Sequence, residues 1–277
     1  MVRPFFMKLY VPRTYNSKLN LYKMNITIQR VKVNEFTAFI KKLITIDKFI
    51  YFKIKPAANK KSGPTIISNC YLPEKDAVKV QSVSLADIFE TDAVIDKTIK
   101  ISFFDGSYVI EALKHFGQTV SGEITCKQEG EFLVATSIRL VNDDLDITIR
   151  CTDPSLGFQD LTSEQIKAIF SIDESIFSFD VDYFKIEELK GLFSLEKEKE
   201  TFKIAVTPSG VRFKGEVYNK LVNSEIVAKK EVEVMFYKKY LNLFDKESYT
   251  ITVCPVKAVF KSQDTETMIS IASCQSE

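Results

Sequence analysis

The sequence predicts an α+β protein of two similar domains. Each is a duplicated strand–helix–strands unit with helices on one side and antiparallel sheets on the other. Three observations carry this. Apolar and polar residues alternate with a period of two through most of the chain, as in half-buried strands. Four stretches break that alternation with apolar residues recurring three and four positions apart, one face of an amphipathic helix. A segment at 151–175, CTDPSLGFQDLTSEQIKAIFSIDES, then interrupts the rhythm with Pro154, Gly157 and mixed polar composition, dividing the four units into two pairs.

Residues 1–24, MVRPFFMKLYVPRTYNSKLNLYKM, are basic, aromatic and broken by Pro4 and Pro12. They lack the continuous apolar run of a secretory signal, so a basic arm is expected, with a transit peptide as the alternative. The first domain is expected over 25–152, the connector over 153–175 and the second domain over 176–277. NITIQRVKV reads as a strand. Val33, Phe36, Phe39, Ile40, Leu43 and Ile44 then share a helical face opposite Ala38, Lys41, Lys42 and Thr45. IYFKIKP, TIISNCYL and AVKVQSVSL follow as strands, the first two joined by the loop ANKKSGP.

The unit recurs at KTIKISFF, where Asp105 is placed to cap a helix buried through Val109, Ala112, Leu113 and Phe116. TVSGEITCK, EFLVATSIRL and DLDITIRC are strands with turns at Gly130 and at 142–144. In the connector, LTSEQIKAIF reads as a short helix capped by Thr162 or Ser163. The third unit has SFDVDYF as strand and Ile186, Leu189, Leu192 and Phe193 as helix face; ETFKIAV and GVRFKGEVY form a hairpin, and NSEIVA reads as a strand. The fourth centres on 235–246, MFYKKYLNLFDK, expected as a helix with Tyr237, Tyr240, Leu241 and Phe244 inward and Lys239, Asn242 and Lys246 outward. KAVFKS and TMISIASC end the chain as strands. Each helix has one apolar stripe, so each must pack on a sheet, and the four opposite faces then share one side of the molecule. Strand-rich content argues against a solenoid of the same repeat length.

The 277 residues suffice for a sizeable core, and 45% apolar with 27% charged residues is ordinary for a globular chain. Net charge is +1, yet 1–32 hold Arg3, Lys8, Arg13, Lys18, Lys23, Arg30 and Lys32 with no acid, so the remainder is net acidic. Such a chain can meet a polyanion with one surface only. Five scattered cysteines without a CxxC suit a reducing intracellular compartment. No apolar run is long enough to cross a membrane as a helix.

Little points to catalysis. No glycine-rich phosphate loop occurs. One histidine, His115, excludes a histidine-rich metal site and is expected at the surface or as a cap. NDDLD at 142–146 lacks calcium-loop spacing and reads as a hairpin turn. The run EKEKE at 196–200 reads as a solvated loop. No enzyme activity, cofactor or metal is expected.

The order and spacing of these elements resemble the DNA sliding clamps, the polymerase processivity factors of the proliferating-cell-nuclear-antigen and bacteriophage type. The resemblance runs from about residue 25 to 274. FDVDYFKIEELKGLFSL is similar to the strand and first helix of that family's second domain. ETFKIAVTPSGVRFKGE is similar to the following hairpin, YLNLF to a YLNFF-like segment of the last helix, and CPVKAVFKSQDTETMISIAS to the terminal hairpin. The resemblance implies a homotrimeric ring around double-stranded DNA, with helices lining the hole and edge strands pairing between subunits at 144–150 and 223–229. It implies an ATP-driven clamp loader and a DNA polymerase as partners. The lysines it places toward DNA are Lys41, Lys42, Lys114, Lys190, Lys238, Lys239 and Lys246. It places a partner-peptide pocket at Leu156, Phe158, Pro255, Ile271 and Ala272. The compartment is then the nucleus of a eukaryote, or the host cytoplasm for a virus or phage. The alternative is a clamp-fold interaction or scaffold protein, such as a viral transcription or assembly factor, that never loads on DNA.

Overall fold

The computed structural model describes residues 23–59, 62–71, 76–156, 160–172, 174–196 and 200–274. The first half comprises β1 (Lys23–Lys32), α1 (Val33–Ile44), β2 (Ile50–Lys55), β3 (Thr65–Tyr71), β4 (Ala77–Ser84), α2 (Leu85–Ile88), β5 (Phe89–Glu90), β6 (Ile99–Phe103), α3 (Gly106–Lys114), β7 (Thr119–Glu129), β8 (Phe132–Val141) and β9 (Asp146–Arg150). A 3-10 turn (Pro154–Leu156) and α4 (Ser163–Phe170) form the connector. The second half comprises β10 (Phe177–Val181), α5 (Tyr183–Leu195), β11 (Thr201–Thr207), β12 (Gly210–Lys214), β13 (Asn219–Asn223), β14 (Val232–Tyr237), a 3-10 turn (Lys238–Leu243), β15 (Tyr249–Val253), β16 (Lys257–Ser262) and β17 (Glu266–Ala272).

The two halves share one connectivity. The first orders its strands β1-β7-β8-β9 and β6-β2-β3-β4; the second repeats this as β10-β15-β16-β17 and β14-β11-β12-β13. Two pairs of backbone bonds fix the correspondence residue by residue. Thr152 N–H donates to the Ser102 carbonyl at 2.8 Å, as Cys274 N–H does to Met235 at 2.7 Å. Cys151 N–H donates to Thr136 at 3.0 Å, as Ser273 N–H does to Val256 at 2.9 Å. The halves are joined by β17, which pairs antiparallel with β4 from Glu266↔Ser82 to Ile271↔Ala77.

α1, α3 and α5 gather on one face, and α4 packs on the other. Val78 and Val80 of β4 are packed with Leu161 and the half-buried Ile166, Ile169 and Phe170 of α4. Lys79 lies between them and so points through the opposite face, where its Nζ donates to the Leu243 carbonyl at 2.9 Å. On that face Lys42 of α1 reaches Glu247 at 2.9 Å and Lys190 of α5 donates to the Phe244 carbonyl at 2.9 Å. With α3 beside α1, the helical layer is continuous. Its core is phenylalanine-rich: Phe36, Phe39 and Phe52 meet edge-to-face in the first half, and Phe193, Phe202, Phe213 and Phe236 cluster in the second. Such pairs add to simple area burial.

Local signals act where expected. Asp105 caps α3 by accepting from Ser107 N–H at 2.8 Å. Thr162 and Gln165 close a capping box on α4. Gly130 and Gly210 turn their hairpins with φ of 60° and 125°. Asn142 Oδ1 accepts from the N–H groups of Asp144 and Leu145, making NDDLD a turn. His115 is the exposed C-cap of α3.

Three expectations are corrected. Residues 235–246 do not form an α-helix. β14 keeps pairing with β11 as far as Tyr237↔Thr201, leaving six residues for a 3-10 turn. That turn also buries Leu243, at 1% exposure, because a period of three aligns it with Tyr240. The segment expected as a strand at 223–229 is one only at Asn223, the end of β13: Asn223 Oδ1 accepts from Glu225 and Ile226 N–H and stops the strand there. Glu196 is not solvated. It is buried, accepts from Val217 N–H at 2.6 Å and pairs with Lys238 at 3.0 Å; residues 197–199 lie outside the described residues.

Candidate nucleic acid interface and partner surface

The helical face places the seven expected lysines in three situations. Lys41 and Lys246 are exposed, and no ion pair holds either among the described residues. Lys114 is exposed and paired to Glu111, one turn away. The other four tie the fold together. Lys42 bridges Glu247 at 2.9 Å and Asp245 at 3.7 Å. Lys190 spans Glu187 and the Phe244 carbonyl. Lys238 is bound to the Glu196 side chain and carbonyl. Lys239 pairs with Asp76 at 2.9 Å and lies over the Tyr237 and Tyr240 rings. Exposed Glu35, Glu111 and Glu188 lie on the same helices, so the solvent side of this layer is close to neutral.

The ties of Lys42 and Lys239 cross between the halves, and two more contacts join them there. Lys79, 1% exposed, pairs with Asp245 at 2.8 Å. Tyr240 Oη donates to Asp76 at 2.7 Å. Burial works against the Glu247 carboxylate, but hydrogen bonds from Lys42, Ser262 and Thr265 outweigh it and hold Glu247 below the usual carboxylate range. Burial, then the Asp76 carboxylate, pushes the Tyr240 hydroxyl upward. On the opposite face Asp160 of the connector pairs with Lys53 at 2.5 Å and Lys100 at 3.2 Å. Those lysines overcome the burial of Asp160 and keep it below its ordinary value. Neither this network nor Lys79 was legible from spacing, because each partner comes from a distant strand.

Of the expected pocket residues, Pro255 and the Ile271–Ala272 pair are neighbours, joined where Ser273 bonds the Pro255 and Val256 carbonyls. Leu156 is exposed at 77%, on the 3-10 turn beside β6. Pro255 is exposed at the β15–β16 turn of the other half and borders a groove of about 660 Å³ with Ser273 and Cys274. Ile271 is wholly buried, since its place between Ala258 and Ala77 in the sheet turns it into the core. Ala272 is half-buried and donates its N–H to the Asp76 carbonyl at 2.8 Å. Phe158 lies outside the described residues. No group of metal-ligating side chains occurs among the described residues, and none of their helices is long and apolar enough to cross a membrane. The five cysteines are free thiols.

No protein-family model and no curated protein sequence matches the chain. Solved structures do. Proliferating cellular nuclear antigen from Entamoeba histolytica superimposes with a TM-score of 0.63 at 12% identity, covering 91% of this chain and 100% of that one. A. fulgidus PCNA, in a structure with the C-terminal region of FEN-1 bound to it, gives a TM-score of 0.59 at 14% identity, covering 91% and 99%. With its doubled connectivity, the chain has the α+β fold of the PCNA clamps.

Proposed function

We propose that the chain is a DNA sliding clamp, which closes as a homotrimeric ring around duplex DNA and tethers a replicative polymerase. The observation that supports this is the arrangement of edges. Inside the chain, β17 of one half pairs with β4 of the other. The same positions in the opposite halves, β9 and β13, are edges with one neighbour each. A second copy that brings its β13 to β9 repeats a junction the chain already makes. Repetition in one sense closes a ring and leaves no edge open. On this reading the clamp domains are 25–152 and 176–277 and the connector is 153–175; of the arm expected at 1–24, Lys23 and Met24 pair with Lys127 and Cys126 in the first domain's sheet, and 1–22 is the basic arm.

The helical layer then faces DNA. Lys41 and Lys246 supply phosphate contacts that carry no sequence information and permit sliding. Lys114 joins them, because an exposed pair such as Lys114–Glu111 holds it weakly. Lys42, Lys190, Lys238 and Lys239 act mainly by fixing the lining. An ATP-driven loader opens the ring. Polymerase tails dock on the outer face near the connector and the C-terminal strand, where Leu156, Phe158, Pro255 and Ala272 are the contacts and Ile271 supports them from beneath.

Native mass spectrometry should show a trimer. The protein loaded on circular DNA should be retained, and it should be released when the circle is cut, since a ring slides off free ends. A monomer at micromolar concentration that no loader retains on DNA rejects the proposal. The near-neutral helical face favours a second reading, a clamp-fold scaffold that binds partners without loading. Its signature is stable partner binding with no retention on circular DNA.

A further inference from the structure

The face opposite α1, α3 and α5 carries a second, smaller core. Val78 and Val80 of β4, with Leu161, are buried in a cluster separate from the main one, against Ile67, Tyr71 and three residues of α4. Those three, Ile166, Ile169 and Phe170, stand at i, i+3 and i+4 and so share one side of the helix. Val78 and Val80 pair with Ser270 and Met268 of β17, which places α4 over the seam where the two halves meet. The second half has a different surface at the matching positions. Tyr51 lies opposite Ser102 as Lys203 lies opposite Met235, so Ile67 corresponds to Arg212 and Val80 to Asn219. Arg212 and Asn219 bond to each other at 3.2 Å, and Asn219 is exposed. The sheet is apolar where α4 covers it and polar at those counterparts.

α4 docks as a unit and can leave as one. Its eight residues are too few to be stable as a helix away from the sheet. The capping box at Thr162 sets the first turn, and Leu161 meets Ile166 in the same cluster, as in a hydrophobic staple. Polar ties lie at the two ends and come from different halves. Before the helix, Asp160 binds Lys53 and Lys100 of the first half. At its C-terminus the Ile169 carbonyl accepts from Lys257 Nζ at 2.7 Å and from Ser270 Oγ at 3.4 Å, both of the second half. Between these ends every α4 residue is half-buried or exposed. A segment with so little buried surface opens far more often than the strands beneath it. Opening uncovers Ile67, Tyr71, Val78 and Val80 together, and a contiguous apolar surface of this kind marks an interaction site.

We propose that α4 is an autoinhibitory plug, docked on the chain's own seam and closing it against partner proteins. It leaves when a partner helix with apolar residues at the same i, i+3 and i+4 spacing takes its place. Lys257 then holds the C-terminal carbonyls of whichever helix is docked. The proposal rests on the outer-face docking put forward above and adds its regulation. Apparent affinity for a partner is reduced by the fraction of time that α4 is open.

A fluorescein-labelled peptide of residues 161–172, LTSEQIKAIFSI, titrated into the full chain, tests it. Ile166→Asp together with Ile169→Asp removes the apolar side of α4 and leaves the seam bare. By anisotropy the peptide should bind this variant at least about tenfold more tightly than the parent chain, and adding Val80→Asp should abolish the gain. In the parent chain the amides of 167–170 should exchange through an opening that urea up to about 1 M leaves unchanged, because it exposes little surface. Those of β4 should exchange only on global unfolding. Equal affinity for parent and variant overturns the plug and leaves outer-face docking standing. No binding to the variant, while its α4 amides exchange freely, overturns the plug and docking at this seam together. α4 amides that exchange only on global unfolding also overturn it, a result that needs no variant. A change of native mass in the variant places α4 in a contact between copies and likewise overturns it.

Discussion

Two neighbouring lysines, Lys41 and Lys42, show what a single residue can and cannot announce. Helical spacing places both away from the apolar stripe, yet Lys41 is in water and Lys42 binds Glu247, 205 residues later. Lys79 is the stronger case. A lysine in a strand pattern reads as solvent-facing, but this one is 1% exposed because Asp245 and the Leu243 carbonyl satisfy it. Removing one partner of a buried pair leaves the other uncompensated. Lys79→Met should therefore cost about 3 kcal/mol in urea unfolding, a loss typical of breaking such a pair. Glu247 gives a pH test. Its carboxyl is held low in the folded state, so its contribution is complete above the unfolded carboxylate range near pH 4.3 and disappears as pH falls through the lower folded value. Thermal midpoints should be flat from pH 7 to about 5 and then fall, and Glu247→Gln should make that fall shallower.

Elements were legible in proportion to how much they decide for themselves. α1, α3 and α5 carry an apolar face long enough to fix their type, and α4 carries a capping box visible in TSEQ. The last unit failed because Tyr237 belongs to β14 and Asp245 and Glu247 are drawn to lysines of the first half, so too few residues remain for α-helical turns. Propensity yielded to pairing there. α4 has no fully buried residue and packs through half-buried Ile166, Ile169 and Phe170. It therefore relies on its cap more than a core helix does. Thr162→Ala should cost α4 about 1 kcal/mol, the usual worth of an N-cap. Amide exchange should speed up several-fold in α4 while β4 and β17 are unaffected.

At the scale of the molecule, the internal repeat supports the proposed ring. Cys151 N–H points toward β8, so alternation turns the Thr148 N–H outward from β9. Thr148→Pro should leave the β8–β9 ladder intact and the circular dichroism unchanged, but convert the trimer to monomer by native mass spectrometry. An unchanged trimer would place the subunit contact elsewhere. Alone, the sequence determined the strand–helix rhythm, the division at the connector, the turns at Gly130 and Gly210 and most of the core, because burial imposes local periods on a chain. Only the tertiary structure decided which lysines are free, that Ile271 is core, and that β14 has β11 as its one strand neighbour among the described residues. Those outcomes depend on partners that the fold brings from far along the chain, and no local period encodes them.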